Sequence, residues 1–220
     1  MKKINIAIDG PSGVGKSSVA KEIAKRLDLV FINTGLMYRA IGYYCLNHDI
    51  DLENEQKIIE SLKAIDLNLL PNEKIELNGV DITNKLWSDQ ISLIASKVAK
   101  LPKVREFCVH KQQLIAKNNP GIVMEGRDIG SVVLKDAELK IFLEANNEIR
   151  TKRRVEQLLA KGINANEADV LKNIIERDKR DSERDVTPLI KVPEAIAIDT
   201  SYLTLEEVIQ NIVELAKEII

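Results

Sequence analysis

The sequence predicts an α/β fold, in which a parallel β-sheet is covered by helices on both faces and a small antiparallel sheet is inserted. Three observations carry this prediction. Short β-branched runs alternate with amphipathic helical patterns along most of the 220 residues. A glycine-rich loop joins the first run to the first helical pattern, and turn signals before residue 80 break the alternation.

The elements of the parallel part follow from two periodicities. Short apolar runs rich in β-branched residues predict buried strands, and apolar residues three or four apart predict helices that bury one face. The predicted strands span 3–8, 29–32, 122–124, 139–143 and 195–198. The predicted helices span 16–27, 36–46, 88–99, 103–116, 147–161, 166–183 and 205–219.

The middle of the chain predicts a different kind of sheet. Apolar runs at 65–70, 74–77 and 80–82 are separated by Pro71-Asn72 and by Asn78-Gly79. Asn-Gly between two apolar runs is a strong signal for a two-residue hairpin turn. We therefore predict antiparallel strands within an inserted subdomain at about 62–100, inside one domain that spans 1–220.

The charge composition excludes several classes of function. The net charge is only −2, from 32 basic and 34 acidic residues, so no global field favours a nucleic acid or a membrane surface. No window approaches the ~18 apolar residues of a spanning helix. The two cysteines, Cys45 and Cys108, match no metal or redox spacing. We expect a cytoplasmic monomer that binds neither nucleic acid nor membrane.

The loop after the first predicted strand has the pattern G-x-x-x-x-G-K-[ST], which is typical of a phosphate-binding loop (P-loop). Its glycines let backbone N–H groups approach phosphate oxygens, and the next helix points its positive end at them. Lys16 is predicted to reach the β- and γ-phosphates, and the Ser17 hydroxyl to ligate Mg²⁺. Asp9 and Asp128 are candidate carboxylates beside this Mg²⁺. The residues predicted to bind the nucleoside triphosphate here are Gly10, Pro11, Ser12, Gly13, Val14, Gly15, Lys16, Ser17 and Ser18.

Two other classes of P-loop protein fit the sequence less well. A GTP switch needs Asn-Lys-x-Asp after a strand, and the Asp is missing at 84–87. Motor and transporter ATPases carry an apolar strand that ends in Asp, whereas the run at 122–125 ends in Glu and continues into Gly126-Arg127-Asp128. The small phosphotransferases remain.

The arginines indicate the reaction class. Lysines outnumber arginines by 22 to 10, and nine of the ten arginines cluster near predicted strand ends and helix faces. Arginine grips phosphate in a bidentate manner, where lysine acts as a point charge. His48 and His110 occupy ordinary helical positions, so no obvious base serves a hydroxyl acceptor. Many arginines without a base favour an acceptor that is itself a phosphate.

Together these motifs resemble those of the bacterial cytidylate kinases, which belong to the nucleoside monophosphate kinases. The matching segments are 8–17, Thr34-Gly35-x-x-Tyr38-Arg39, Ala95-Ser96-x-Val98-Ala99 with Pro102-x-Val104-Arg105, 126–130, 140–143, Arg153-Arg154, 176–181, Arg184 and Pro188-Leu189. The resemblance implies Mg²⁺-dependent transfer of the γ-phosphoryl group of ATP to CMP and dCMP. It also implies that 62–100 binds the monophosphate and that about 150–165 forms a mobile lid.

The resemblance implies roles for individual residues as well. Those expected to read the cytosine ring are Ser96, Arg105 and Asp128. Those expected to contact the nucleoside are Thr34, Asp181 and Arg184. Those expected to grip phosphates are Arg39, Arg127 and Arg177, which form the catalytic set together with Lys16. Those expected in the lid over ATP are Arg153 and Arg154.

The sequence departs from the family pattern at two places and leaves two alternatives open. Thr34 replaces a frequent Ser and keeps the hydroxyl, whereas Leu86-Trp87 stands where Ile-Arg is common, so a contact of that arginine is lost or replaced. One alternative is a P-loop kinase for another small acceptor, such as UMP, another monophosphate or a shikimate-like acid. The other is a nucleotide-gated binding module with 62–100 as its partner surface.

Overall fold

A computed structural model describes residues 3–71, 73–160 and 162–220. In chain order the strands are β1 (Ile6–Asp9), β2 (Val30–Asn33), β3 (Leu67–Leu70), β4 (Lys74–Leu77), β5 (Val80–Asp81), β6 (Ile122–Gly126), β7 (Leu139–Glu144) and β8 (Ile196–Asp199). The helices are α1 (Lys16–Arg26), α2 (Gly35–Asn47), α3 (Glu55–Ser61), α4 (Asp89–Val98), α5 (Pro102–Asn118), α6 (Asn147–Leu159), α7 (Glu167–Ser182) and α8 (Leu205–Lys217).

The five-stranded sheet has the order β2-β6-β1-β7-β8, and all its pairings are parallel. Alternate residues of the central strand β1 face opposite layers: Ile6 and Ile8 pack in a cluster with α1 and α8, whereas Ala7 joins a cluster with α2, α4 and α5. Helices therefore cover both faces, which confirms the predicted fold class. The carboxyl ends of β1, β2 and β6 meet at one edge of the sheet, where ligands bind in open α/β folds.

The inserted sheet is antiparallel, in the order β3-β4-β5. Asn78 and Gly79 have φ values of 51° and 77° and join β4 to β5 as the predicted two-residue turn. Of the Pro71-Asn72 turn signal, Asn72 lies outside the described residues. Ile75 is fully buried in the same apolar cluster as α2, so the inserted sheet packs on the main domain.

The predicted helix ends lie within two residues of the observed ones, and the structure adds elements that the pattern did not predict. Helix α3 was missed because Ile58 is its only buried residue, although Asn54 caps it by accepting from the Lys57 N–H. A π-helical turn at Ile129–Val133 follows β6. None of the helices in the described part of the chain has the length and apolar content needed to cross a bilayer.

Candidate active site

A cleft of about 640 Å³ opens where β1, β2 and β6 end, and its size is usual for a small-molecule site. The sequence-predicted residues that line it are Ser12, Gly13, Gly15, Lys16, Ser17, Ser18, Thr34, Arg39, Ser96, Arg105, Arg127, Asp128, Arg154, Arg177, Asp181 and Arg184. Those outside its lining are Gly10, Pro11, Val14 and Arg153. The fold therefore brings most of the predicted residues into one cleft.

The P-loop depends on glycine at two positions. A Cβ at Gly10 would lie 2.3 Å from the backbone oxygen of Leu143, and Gly15 has a φ of 97° where it precedes α1. The ammonium of Lys16 lies inside the loop and donates to the carbonyls of Gly10 and Pro11 at 2.8 and 2.7 Å. Burial, with Arg127 nearby, lowers the pKa of Lys16 to about 7. A polyphosphate bound in the loop would raise this pKa again, because its negative charge stabilises the ammonium.

Glu125 is the carboxylate beside the predicted Mg²⁺ ligand. It is buried near the end of β6, and its Oε1 accepts a hydrogen bond from the Ser17 hydroxyl at 2.6 Å. The two candidates from the sequence lie elsewhere: Asp128 faces Arg105, and both oxygens of Asp9 accept from backbone N–H groups. Sequence reasoning missed Glu125, although its place directly after the predicted strand 122–124 was the available signal.

The Asp9 carboxylate holds the π-helical turn after β6 through hydrogen bonds. Its two oxygens accept from the N–H groups of Ile129 and Gly130 at 2.9 and 2.8 Å. Burial nevertheless raises the pKa of Asp9 to about 6, because desolvation outweighs these two donors. The folded chain thus binds this proton more tightly than the unfolded chain, where the value is 3.8. The contribution of Asp9 to stability therefore falls as pH rises through this interval.

We expect Asp9→Asn to gain stability relative to the wild type between pH 4 and pH 7. The gain should be on the order of 2 kcal/mol, because the amide has no charge to desolvate at the higher pH. Urea unfolding of both proteins at the two pH values measures this difference. Asp136→Asn, at an exposed position, should show no such trend. A constant difference for Asp9→Asn at both pH values would contradict the assigned burial effect.

Three arginines meet around Asp181: Arg127 and Arg177, which are predicted to grip phosphate, and Arg184, which is predicted to contact the nucleoside. Arg127 donates to Asp181 at 2.8 Å, and Arg177 and Arg184 approach the same carboxylate at 4.0 and 3.8 Å. Burial alone would raise the pKa of Asp181, but Arg127 and Arg177 outweigh it and hold the value below its usual range. The Nε of Arg177 is buried without a hydrogen-bond partner. One carboxylate shared by three guanidiniums leaves positive charge facing the cleft.

Ser92 links two of the proposed phosphate-binding arginines. Its hydroxyl oxygen accepts from Arg39 at 3.1 Å and from Arg177 at 3.2 Å. Arg39 also donates to the carbonyl of Leu86 at 2.8 Å, and its guanidinium carbon lies 5.8 Å from the centre of the Trp87 ring. Trp87 therefore packs beside Arg39 at the position where the family commonly has an arginine.

The far end of the cleft holds a buried ion pair. Arg105 is 2% exposed and donates to Asp128 and, at 3.1 Å, to the carbonyl of Ala99. Arg184 approaches the other Asp128 oxygen at 3.9 Å. The Ser96 hydroxyl accepts from Arg180 at 3.3 Å. Of the residues expected to read the base, Arg105 and Asp128 are therefore paired, and Ser96 is buried in the lining of the same cleft.

Helix α6 places its arginines differently from one another. Arg154 lines the cleft, whereas Arg153 donates to the hydroxyl and carbonyl of Thr200 at 3.0 and 2.6 Å, beyond the end of β8. Arg150 belongs to the arginine clusters that the sequence indicated, without a role of its own; it is buried and donates to the Ser12 carbonyl of the P-loop at 2.8 Å and to Asp178. Arg150 therefore contacts the P-loop directly.

Thr34 stands at the carboxyl end of β2, between the P-loop and the arginine cluster. Its side chain is buried, and its hydroxyl donates to the backbone oxygen of Glu125 at 2.8 Å. This bond fixes the beginning of α2, which carries Tyr38 and Arg39 along the wall of the cleft.

Within the described residues no group of three or more His, Cys, Asp or Glu could by itself hold a metal ion.

Solved structures with the same architecture include a protein of Eubacterium ventriosum described as uncharacterized and a shikimate kinase of Bacteroides thetaiotaomicron. The first has a TM-score of 0.54 at 15% identity, with 99% of each chain covered. The second has a TM-score of 0.50 at 12% identity, covering 97% of this chain and 98% of that one. At these identities the likeness shows the fold alone.

Sequence comparison is more specific. A cytidylate kinase of Geobacillus sp. (strain WCH70) is 47% identical over 218 residues, 98% of this chain and 97% of that protein. A cytidylate kinase of Bacillus subtilis (strain 168) is 44% identical over 220 residues, 99% of this chain and 98% of that protein. The family profile described as cytidylate kinase matches residues 6–218. Because the profile and both relatives match along nearly the whole chain, this chain belongs to the cytidylate kinase family.

Proposed function

We propose that this chain transfers the γ-phosphoryl group of ATP to CMP and dCMP, forming ADP and CDP or dCDP. The observation that carries the proposal is the order of groups along one cleft. Lys16 of the P-loop lies near Arg127 and Arg177, and Ser92 joins Arg177 to Arg39. Arg127 and Arg177 share Asp181 with Arg184, which in turn faces Asp128, the partner of Arg105. This order matches a donor triphosphate, two phosphates that meet, and an acceptor base.

The arginines would do most of the catalytic work. Because the acceptor is already a phosphate oxygen, no strong general base is required. Two polyanions must instead approach in line, and their repulsion is the main obstacle. Lys16 would hold the β- and γ-phosphates, and Arg127 and Arg177 would face the transferred group. Since these side chains are held by Asp181 and Ser92 before substrate binds, little reorganisation accompanies the reaction.

Ser17 and Glu125 fit a Mg²⁺ ion that is shared with the phosphates of ATP. Mg²⁺ prefers oxygen ligands, and in kinases it takes one or two of them from the protein. The hydroxyl of Ser17 and the carboxylate of Glu125 supply such a pair, 2.6 Å apart. When bound, the ion neutralises charge on the phosphate oxygens. Glu125 would hold Ser17 in place and add the negative charge that the ion requires.

We expect Glu125→Gln to raise the Mg²⁺ concentration for half-maximal activity about tenfold or more, because the amide keeps the shape but loses the charge. A Mg²⁺ titration at saturating ATP and CMP measures the change. Glu144→Gln is the matched control, because Glu144 is exposed at the end of β7, which β1 separates from β6 in the sheet, and it should behave as the wild type. An unchanged Mg²⁺ requirement in Glu125→Gln would remove Glu125 from the metal site.

The Arg105–Asp128 pair suits cytosine. The base offers an exocyclic amino donor and acceptors on its ring, so a carboxylate and a guanidinium form a complementary edge. Both side chains are almost fully buried, which strengthens their hydrogen bonds relative to water. Uracil has a carbonyl in place of the amino group and would face the Asp128 carboxylate unfavourably.

Two segments would close the cleft, and both proposals rest on their lining residues. Ser92 and Ser96 reach the cleft from α4, which supports 62–100 as the subdomain that binds the monophosphate. Arg154 and Gln157 reach it from α6, which supports about 150–165 as the lid over ATP. Closure would exclude water, a competing acceptor of the phosphoryl group. Residues of one chain supply both halves of the site, so we expect activity from a monomer.

A coupled assay of ADP release tests the proposal, with CMP, dCMP, UMP, AMP, GMP and shikimate offered in turn. We expect turnover with CMP and dCMP. If both are inactive while another acceptor turns over, the acceptor assignment is wrong. ATP binding without acceptor-dependent ADP release from any compound would instead indicate a binding module.

Asp128→Asn should reduce the preference for CMP over UMP and leave the KM for ATP unchanged, because the substitution alters only the group that faces the acceptor base.

A further inference from the structure

We infer that Thr187 is a positioning residue for recognition of the acceptor base, because it holds two of the arginines around Asp128 at once. Its hydroxyl oxygen accepts from the Nε of Arg105, and its backbone oxygen accepts from the Nε of Arg184 at 2.7 Å. Both arginines also face Asp128. This inference rests on the proposed base-reading role of Arg105 and Asp128.

The backbone of Thr187 indicates that this arrangement is imposed. Its φ is 49°, and among the described residues it is the only β-branched one with a positive φ. Such a residue is strongly disfavoured in the left-handed region, and the following Pro188 biases it further towards extended conformations. Strain of this kind persists where the surroundings hold it, and it concentrates at functional sites.

Hydrogen bonds from residues before and after Thr187 hold the turn that follows α7. After α7 ends, the chain folds back so that the Leu189 N–H donates to the carbonyl of Asp181 at 2.8 Å. Arg184 precedes Thr187 in this turn, and its side chain bonds the Thr187 carbonyl. The turn therefore connects the base end of the cleft to Asp181, the carboxylate shared by the phosphate-binding arginines.

The geometry of Arg105 shows what the Thr187 hydroxyl contributes. The Nη2 of Arg105 is bonded to Asp128 and its Nη1 to the carbonyl of Ala99 at 3.1 Å. The Thr187 hydroxyl accepts a hydrogen bond from the remaining nitrogen, Nε. All three guanidinium nitrogens of Arg105, which is 2% exposed, therefore have partners. Without the hydroxyl, a buried charged donor loses its partner, and the guanidinium can turn away from Asp128.

Two variants separate the hydroxyl from the shape of the side chain. Thr187→Val keeps the β-branch and the volume but removes the acceptor, whereas Thr187→Ser keeps the acceptor. We expect Thr187→Val to raise the KM for CMP about tenfold, because a hydrogen bond to a charged group is lost. The KM for ATP should stay within about twofold of the wild type, and the preference for CMP over UMP should shrink. Thr187→Ser should keep both the wild-type KM for CMP and the wild-type preference.

The outcomes distinguish this inference from the proposal on which it rests. Asp128→Asn is measured alongside, and melting temperatures are recorded for every variant. If Asp128→Asn impairs CMP use and Thr187→Val does not, the inference about Thr187 is wrong and the base-reading proposal stands. If neither variant affects CMP, the base-reading proposal fails. Equal effects of Thr187→Val on the KM for ATP and for CMP overturn the positioning role. Should Thr187→Val not fold, Thr187→Ala replaces it, since alanine removes the same acceptor with less strain.

Discussion

Lys16→Met is expected to lower kcat by a factor on the order of 10³, which corresponds to about 4 kcal/mol of lost transition-state stabilisation. The ammonium of Lys16 lies within the P-loop, held by the carbonyls of Gly10 and Pro11. It therefore lies inside the loop that would hold the β- and γ-phosphates. Methionine has a similar length and no charge, so the variant removes the electrostatic contribution and little else.

The same variant should remain folded. Burial lowers the pKa of Lys16 to about 7, so the folded chain gains little from burying this charge before the nucleotide binds. Replacing a buried charge by an apolar group of similar volume is often neutral for stability. We expect the melting temperature to change little and ATP to bind, because the backbone N–H groups of the loop still face the phosphates.

Single-turnover transfer to CMP measures the loss of rate, and a direct ATP titration measures whether ATP still binds. Lys21→Met is the matched control, because Lys21 lies on the same helix with its side chain 60% exposed, paired with Glu73. It should retain wild-type turnover. A Lys16→Met protein that keeps a third or more of the wild-type kcat would contradict the assignment of Lys16 to the transferred phosphates.

The parts of the fold that the sequence predicted are those encoded by local signals. The Asn78-Gly79 turn requires two consecutive residues with positive φ, and few other residue pairs tolerate this. The alternation in β1 assigns Ile6 and Ile8 to one layer and Ala7 to the other without reference to any distant residue. The P-loop likewise needs glycine because of the backbone path at Gly10.

The contacts that sequence reasoning missed all depend on which distant elements become neighbours. Glu125 reaches Ser17 because β6 pairs with β1, and nothing local to either residue encodes that pairing. Arg150 reaches Ser12 only because α6 and α7 pack against the P-loop. Arg153 is one helical turn away, and its rotamer brings it to Thr200 instead. Motif matching finds the residue types of a site, but strand order and side-chain rotamers decide their contacts.

Arg177→Met is expected to lower kcat without lowering the melting temperature of the substrate-free protein. Arg177 faces the middle of the cleft, where donor and acceptor phosphates would meet. Removing a guanidinium that stabilises a transferring phosphoryl group typically costs about 10³-fold or more in rate. Burial, together with the neighbouring Arg127 and Arg39, lowers the pKa of Arg177 to about 10, so the folded chain holds this charge at a cost.

Burial is the larger part of that cost, and the crowding of like charges beside Asp181 adds to it. Arg127 is bonded to it at 2.8 Å, whereas Arg177 approaches at 4.0 Å and has its buried Nε unpartnered. Removing Arg177 relieves this like-charge crowding and leaves the Arg127–Asp181 pair in place. We therefore expect kcat to fall about 10³-fold, while the melting temperature of the substrate-free protein stays the same or rises.

Thermal unfolding with and without CMP, beside steady-state kinetics, tests both signs in one set of samples. The stabilisation that CMP gives should be smaller in Arg177→Met than in the wild type, because a group that holds its phosphate is missing. Lys179→Met is the control, since Lys179 lies on the same helix with its side chain 68% exposed. If Arg177→Met instead lowers the melting temperature of the substrate-free protein along with the rate, Arg177 stabilises the fold and the phosphate-binding assignment is wrong.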